Sequence, residues 1–318
     1  WCANEKTAME EALGACFAGR RALVSMKHVG LNVAADPFVN GALVSTHGGL
    51  VVAVADDPGM HSSQDEQDSR FYADFARVLC LEPATQQEAY DMTVEAFDLS
   101  ERFGVPVLLR LVTRLAHSRT DIEVAAQARP ENPVARAPRP SSWILLPGNA
   151  RRQWRDLLGR QQEMTAWSED CRWNRLTLNP DDRELGVVTT GLARNYFEEN
   201  AGELARRPSH LHVGAYPPPL ALLHRLAGHV QRLLVLEEGY PFLERQLRGV
   251  FGAPLPVAGK LSGEVPLEGE LTPDNVRPAL GLPARPRLAA DPGPLPGRPP
   301  QLCKGCPHGH MYEALKQA

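Results

Sequence analysis

The sequence predicts an α/β protein of two domains, and three observations carry that prediction. Short runs of Val, Leu and Ala alternate with segments of helical periodicity, and such repeats build parallel sheets joined by right-handed crossovers. The runs are continuously apolar, as strands covered on both faces require. At 318 residues the chain exceeds the ~250 residues at which a single core stops growing. A stretch rich in Pro, Ala and Arg interrupts the alternation near the middle.

Asn4 is placed to cap a helix from Glu5 to about Ala18, with Ala8, Ala12, Ala15 and Ala18 at helical spacing and Gly19 as its stop. Strands are predicted over residues 22–26, 49–55, 77–81 and 105–112. Between the last two, Ala89, Met92, Val94, Ala96 and Leu99 line one face of a helix laid on a sheet. These elements form a first domain over residues 1–125, followed by a linker over 126–142. "NARRQWRDLLGRQQEMTAWSED" reads as an amphipathic helix bridging the domains. A second, smaller domain over 143–281 carries strands at 185–191, 211–217 and 232–239, each followed by a helix. A proline-rich linker over 282–300 then leads into residues 301–318.

Composition removes several functions. A net charge of -4 gives no basic field for nucleic acid or an anionic membrane. No apolar run reaches the ~18 residues of a membrane helix. Six scattered cysteines do not make a disulfide framework and point to a reducing cytosol. Neither G-x-G-x-x-G nor a P-loop follows any strand, and there is no G-x-S-x-G or H-E-x-x-H.

The residues left to carry chemistry fall in five places. Glu5, in the first turn of the first helix, is either an exposed acid favoured by the helix dipole or, if that turn faces a cleft, a proton-exchanging carboxyl. "SMKHVGLNVAADP" is expected as a turn at a strand's carboxyl end, where Lys27 and His28 can meet an anionic substrate and Gly30 and Asn32 shape the backbone. In "ADDPGMHSSQDEQD", Asp56 and Asp57 suit a cation or a plain turn, and His61 beside Ser62 and Ser63 is a weak nucleophilic pair. Glu237 and Glu238 alternate to opposite strand faces, which argues against a shared-proton dyad and for an interdomain contact by one of them. Cys303 and Cys306, with His308 and His310, have the spacing of a zinc site, a cluster or a dithiol, but supply too few well-spaced ligands to complete one.

"WCANEKTAMEEALGACFAGRRALVSMKHVGLNVAADP", "GGLVVAVADDPGMHSSQDEQDSRFYADFA", "GVPVLLRLVTRLAHSR", "VLEEGYPFLE", "GELTPDNVRPAL" and "LCKGCPHGHMYEALK" together resemble one family across nearly the whole chain. It is the alpha subunit of indolepyruvate:ferredoxin oxidoreductase, among the thiamine-diphosphate-dependent 2-oxoacid:ferredoxin oxidoreductases. The resemblance implies a pyrimidine-binding-type parallel-sheet domain followed by a transketolase C-terminal-like α/β domain. It implies that Glu5 touches the cofactor's pyrimidine and that Cys303, Cys306 and His308 face the cofactor's diphosphate end or a cluster. Lys27, His28 and Asn32 become substrate-side candidates. The implied cofactors are thiamine diphosphate, Mg²⁺ and [4Fe-4S] clusters, the last two held mainly by regions outside these residues. The implied partners are a beta subunit, ferredoxin, a 2-oxoacid and coenzyme A, in the cytoplasm. Lys304 stands where the family usually has proline. By this resemblance the chain is expected to begin and end inside a longer subunit and to be inactive alone. The alternatives are another 2-oxoacid substrate or a non-catalytic assembly module.

Overall fold

A computed structural model describes residues 1–125, 131–134, 140–250, 255–286, 302 and 304–317. The chain divides into a compact unit, Trp1–Ala284, and a short one, Arg285–Ala318. In the first unit the order is α1 (Glu5–Phe17), β1 (Ala22–Lys27), α2 (His28–Val33), α3 (Ala35–Gly41), β2 (Leu50–Asp56), α4 (Arg70–Ala76), β3 (Cys80–Leu81), α5 (Gln86–Phe103), β4 (Val107–Val112) and α6 (Thr113–His117). There follow α7 (Pro147–Asp170), β5 (Asn174–Thr177), β6 (Leu185–Thr190), α8 (Ala193–Ala201), β7 (Ser209–Val213), β8 (Ala215–Tyr216), α9 (Leu220–Ala227), β9 (Arg232–Leu236), α10 (Phe242–Val250) and β10 (Val257–Ala258). The short unit holds α11 (Pro307–Gln317).

The strands form two five-stranded sheets, β1-β2-β4-β3-β8 and β10-β9-β6-β7-β5. The first is parallel from β1 to β3, with Val24 opposite Val52 and Val52 opposite Leu108. The second is parallel from β10 to β7. Both contain an antiparallel pair that the strand–helix alternation does not announce. β5 pairs with β7, and β8 leaves the second half of the chain to pair with β3. The expected strand at 77–81 shortens to two residues.

The first helix starts as expected, because Asn4 Oδ1 accepts the Thr7 amide at 2.9 Å and Gly19 leaves it at φ 84°. Its buried stripe is Met9, Ala12, Leu13 and Cys16, only Ala12 of which belongs to the alanine series. The expected turn after β1 is instead two short helices, α2 and α3. Gly30 and Leu31 are buried there, and tertiary burial outweighs the low helix propensity of Gly and Asn. The bridging helix is observed as α7. Its Leu157 and Met164 join the core under the first sheet, while its Ser168 hydroxyl reaches the backbone of Pro217. Of the described linker residues, Glu131 accepts from Arg20 Nη1, Asn132 Nδ2 donates to Glu101 Oε1 of α5, and the Ser142 carbonyl accepts from Gln153 of α7.

One apolar core spans the first sheet and one face of the second, including Val52, Leu108, Val188 and Val235. A smaller one covers the other face of the second sheet through Val187, Phe197 and Leu234.

Candidate functional site

In parallel α/β sheets the carboxyl ends of the strands face the ligand, and three groups of side chains gather at that edge of the first sheet.

The first group surrounds Glu5. Because α1 precedes β1 and runs against it, its first turn returns to the carboxyl end of β1. A cleft of about 690 Å³ runs along α1 and the whole of β1, from Ala22 to Lys27, and Glu5 lines it toward the Lys27 end. Glu5 is half-buried, and among the described residues its carboxylate has no hydrogen-bond or ion-pair partner. Its side chain lies on Gly30, where a Cβ would stand 2.6 Å from Glu5 Cγ and 2.9 Å from Glu5 Oε1. The absence of a side chain at residue 30 is what lets Glu5 lie there. The carboxylate sits on the first turn of α1, whose free amides and dipole favour an anion.

The second group is the loop after β2. Asp57 organises it: one oxygen accepts the His61 amide and the Thr113 hydroxyl, the other the Ser62 amide and the Ser63 hydroxyl at 2.6 Å. Burial opposes ionisation of Asp57, but these donors hold it well below the usual carboxylate range. Lys27 and His28 meet the same loop. Lys27 Nζ donates to the Ser62 carbonyl at 2.9 Å, and His28 Nε2 lies 3.2 Å from Ser63 Oγ. His28 is fully buried, and burial lowers its pKa against the pull of Asp65. Asn32 faces elsewhere and accepts the Tyr72 hydroxyl at 2.5 Å. The structure therefore brings Lys27 and His28 together on the loop and leaves Asn32 apart from them. Asp56 and Asp57 diverge, one to Arg110 and the other to the loop, and no group of three or more metal-ligating side chains occurs among the described residues.

The third group was not foreseen. Arg70 and Arg110, both buried, connect the two sheets. Arg70 holds Asp68 through both carboxylate oxygens, reaches Glu237 Oε2 at 3.0 Å and donates to the carbonyls of Glu238 and Tyr240. Arg110 binds Asp56 at 2.6 Å, Glu82 at 2.5 Å and the Glu238 carbonyl at 3.1 Å. Tyr216 closes the ring by donating to Glu82. With four carboxylates around two guanidiniums, the cluster is acidic. Burial pushes Asp56 up to about 6 against the pull of Arg110, and it also raises Glu237. Asp68, which burial alone would raise, is drawn below its ordinary value by Arg110 and Arg70. Glu237 is thus the expected contact between the two sheets, while Glu238 points away to the Tyr196 hydroxyl and the Leu271 amide. A charged residue in the middle of "VLLRLV" was the available signal: a buried Arg needs buried acids.

In the short unit, Cys306 Sγ lies 3.4 Å from His308 Nδ1, and no residue of α11 is buried. Cys303 lies outside the described residues.

Residues 2–153 match the family described as "Pyruvate flavodoxin/ferredoxin oxidoreductase, thiamine diP-bdg". The indolepyruvate oxidoreductase subunit IorA of Methanothermobacter thermautotrophicus is 39% identical over 322 residues, which cover 99% of this chain and 52% of that protein. IorA of Archaeoglobus fulgidus is 36% identical over 337 residues, covering 100% of this chain and 52% of that one. IorA of Thermococcus kodakarensis is 34% identical, with 99% and 52% covered. The chain thus spans about half the length of these curated relatives. Among solved structures, a 2-oxoglutarate:ferredoxin oxidoreductase from Magnetococcus marinus with 2-oxoglutarate, coenzyme A and succinyl-CoA bound aligns with a TM-score of 0.63 at 15% identity, over 86% of this chain and 55% of that one. A split gene transketolase aligns with a TM-score of 0.52 at 17% identity, over 87% and 80%. At these identities the two structures establish the α/β fold.

Proposed function

Because the chain belongs to the thiamine-diphosphate-dependent 2-oxoacid:ferredoxin oxidoreductases, in the branch of the indolepyruvate oxidoreductase alpha subunit, we propose that it supplies the pyrimidine side of that enzyme's active site. The reaction is the oxidative decarboxylation of aryl 2-oxoacids such as indolepyruvate to the aryl-acyl-CoA, with electrons passing through iron–sulfur clusters to ferredoxin. The complete enzyme would include a beta subunit and work in the cytoplasm. Among the described residues no helix is long and apolar enough to cross a membrane.

The observation that carries this reading is the Glu5 carboxylate, without a partner among the described residues, braced on Gly30 and lining the groove along α1 and β1. That donor suits the pyrimidine of thiamine diphosphate, since a half-buried carboxyl with no internal partner is free to share a proton with a ring nitrogen. When bound, the cofactor supplies the electron sink for the carbon that loses carbon dioxide.

The chain's own residues do the rest of the work at this side. Glu5 holds or moves a proton at the ring nitrogen. Asp57, Lys27 and His28 fix the loop of residues 57–63 beside the cleft, so that the wall facing a substrate is preorganised. In this reading Lys27 and His28 act on the substrate side through that loop, whereas Asn32, turned to the Tyr72 hydroxyl, takes no part in it. Cys303, Cys306 and His308 are assigned to the cofactor's diphosphate end or a cluster. Mg²⁺ and [4Fe-4S] find no sufficient donor set among the described residues.

The test is Glu5→Gln in the complete enzyme. Turnover of indolepyruvate should fall by roughly 10²- to 10⁴-fold, the usual worth of a positioned proton-transfer group, with the circular dichroism spectrum unchanged. Near-normal turnover would remove Glu5 from this role. Comparison of kcat/KM for indolepyruvate, phenylpyruvate and pyruvate tests the substrate class, and a preference for pyruvate would overturn the aryl assignment.

A further inference from the structure

A second cleft, of about 410 Å³, opens between α2, α4 and the turn from β9 into α10, and it shares no lining residue with the cleft at Glu5. Its volume falls in the range of small-molecule sites, ~300–1,000 Å³. Its walls are the rings of Phe71, Tyr72 and Tyr240, with Asn32, Gln67 and Arg245 at the margins and Asp68, already bound to Arg70, at its lining. Asn32 lies two residues beyond Gly30, about 200° around a helix from it. The Glu5 side chain and this second cleft therefore lie against different faces of α2.

The aromatic walls are fixed before any ligand arrives. Phe71 packs edge-on against Phe242, ring centroids 5.0 Å apart, and at 6.1 Å from Tyr240. Tyr240 is tied at both ends, its hydroxyl donating to the Glu66 carbonyl at 2.6 Å and its amide to Asp68 at 3.1 Å. Tyr72 is held by Asn32. Arg245 is the cation of the cleft. Its guanidinium carbon lies 5.8 Å from the centre of the Phe71 ring, and no carboxylate lies within ion-pair distance of it among the described residues. Of the acids nearby, Asp68 holds Arg70, and Asp65 accepts from Gln67 at Oδ2 while its Oδ1 is buried without a hydrogen-bond partner.

We propose that this aromatic cleft is a ligand site separate from the Glu5 cleft, and that it takes a planar aromatic ring carrying one carboxylate. The ring stacks among Phe71, Tyr72 and Tyr240, and the carboxylate meets Arg245. Planar rings gain most from such walls, and a guanidinium without a carboxylate partner among the described residues suits a carboxylate bidentately. A polyphosphate is disfavoured, since a single arginine would face several negative charges with Asp65, Glu66 and Asp68 close behind.

The site is tested by calorimetric titration of the complete enzyme with indole-3-acetate, a ring with one carboxylate and no keto group to react. Saturable binding is expected, weakened about tenfold or more by Arg245→Ala and by Tyr240→Ala and unchanged in Tyr240→Phe, which keeps the ring. Thermal midpoints of the variants, compared with wild type, identify any that fail to fold, and Arg245→Ala, at an exposed position, is the variant on which the decision then rests. Acetate should not bind, and adenosine monophosphate should bind more weakly than indole-3-acetate. Binding that survives Arg245→Ala unaltered, or a preference for adenosine monophosphate, would overturn the proposal. Glu5→Gln should leave this titration unchanged even where it abolishes turnover, so the fate of this site is read independently of the fate of the Glu5 reading.

Discussion

The Glu5 cleft and the Arg70–Arg110 cluster occupy the same edge of the same sheet, yet they treat charge in opposite ways. In the cluster every guanidinium is buried and met by carboxylates at 2.5–3.0 Å. In the cleft one half-buried carboxylate has no partner among the described residues. A buried network whose guanidiniums are all met, and which leaves Asp56 Oδ1 alone of its carboxylate oxygens without a hydrogen bond, fixes one arrangement of the elements that contribute to it. An unpartnered carboxyl at a cleft contributes little to folding and keeps its hydrogen-bonding capacity for something else. The comparison separates two uses of ionisable residues that composition treats alike, and substitutions on each side should give opposite profiles of stability and activity.

The largest stability effect is expected on the closed side. Arg110→Met removes one of two cations and leaves Asp56 and Glu82 buried without their main partner. Breaking one partner of a buried pair costs roughly 3–5 kcal/mol, and urea denaturation should show a loss of that size. A loss below ~1 kcal/mol would mean that the cluster does not hold the two sheets together.

A smaller effect follows from Glu238, beside the cluster. Burial, and then Glu270, push its carboxyl up from 4.5 to about 7, and Oε2 is buried with no hydrogen-bond partner. A raised carboxyl retains its proton in the folded chain, so its contribution is complete below pH 4.5 and is lost as pH rises through about 7. Glu238→Gln has no proton to lose. The variant's stability relative to wild type should therefore climb between those values and level off above them, at a gain of ~3 kcal/mol. The difference curve matters because His210 and His212, both lowered by burial, give wild type a slope of the opposite sign. A flat difference from pH 4.5 to about 8 would show that Glu238 does not hold its proton.

The sequence was legible where information is local. Asn4, Gly19 and the apolar runs define α1, β2, β4 and the three central strands β6, β7 and β9 of the second sheet, because caps and continuous burial are written in neighbouring residues. Glu5 was legible as a candidate from its place in the first turn, but its bracing by Gly30 depends on a packing contact across 25 residues of chain. The cluster was illegible for the same reason carried further: Arg70 finds Glu237 at a separation of 167 residues. Pairing of β8 with β3 was hidden because two residues of strand carry no period. The helices α2 and α3 were missed because Gly, Asn and Pro signal turns, and only burial of Leu31 and Phe38 reveals why the chain coils there instead.

The smallest stability effect, and the sharpest use of the contrast, is expected for Gly30→Ala. The added methyl would meet Glu5 Cγ at 2.6 Å, too close for both to remain. The obstructing atoms belong to a flexible side chain with no partner to lose, so Glu5 can swing aside at little cost. Alanine also gains up to ~1 kcal/mol over glycine within a helix. Net stability should therefore change by less than ~1 kcal/mol in either direction, as read from the same urea curves that report Arg110→Met. Activity should behave differently, because a displacement of about 1 Å at a positioned group can cost ~10²-fold. If Gly30→Ala leaves turnover of the complete enzyme intact while folding normally, the placement of Glu5 is not what the reaction requires, and the cleft loses the feature that sets it apart from the closed cluster.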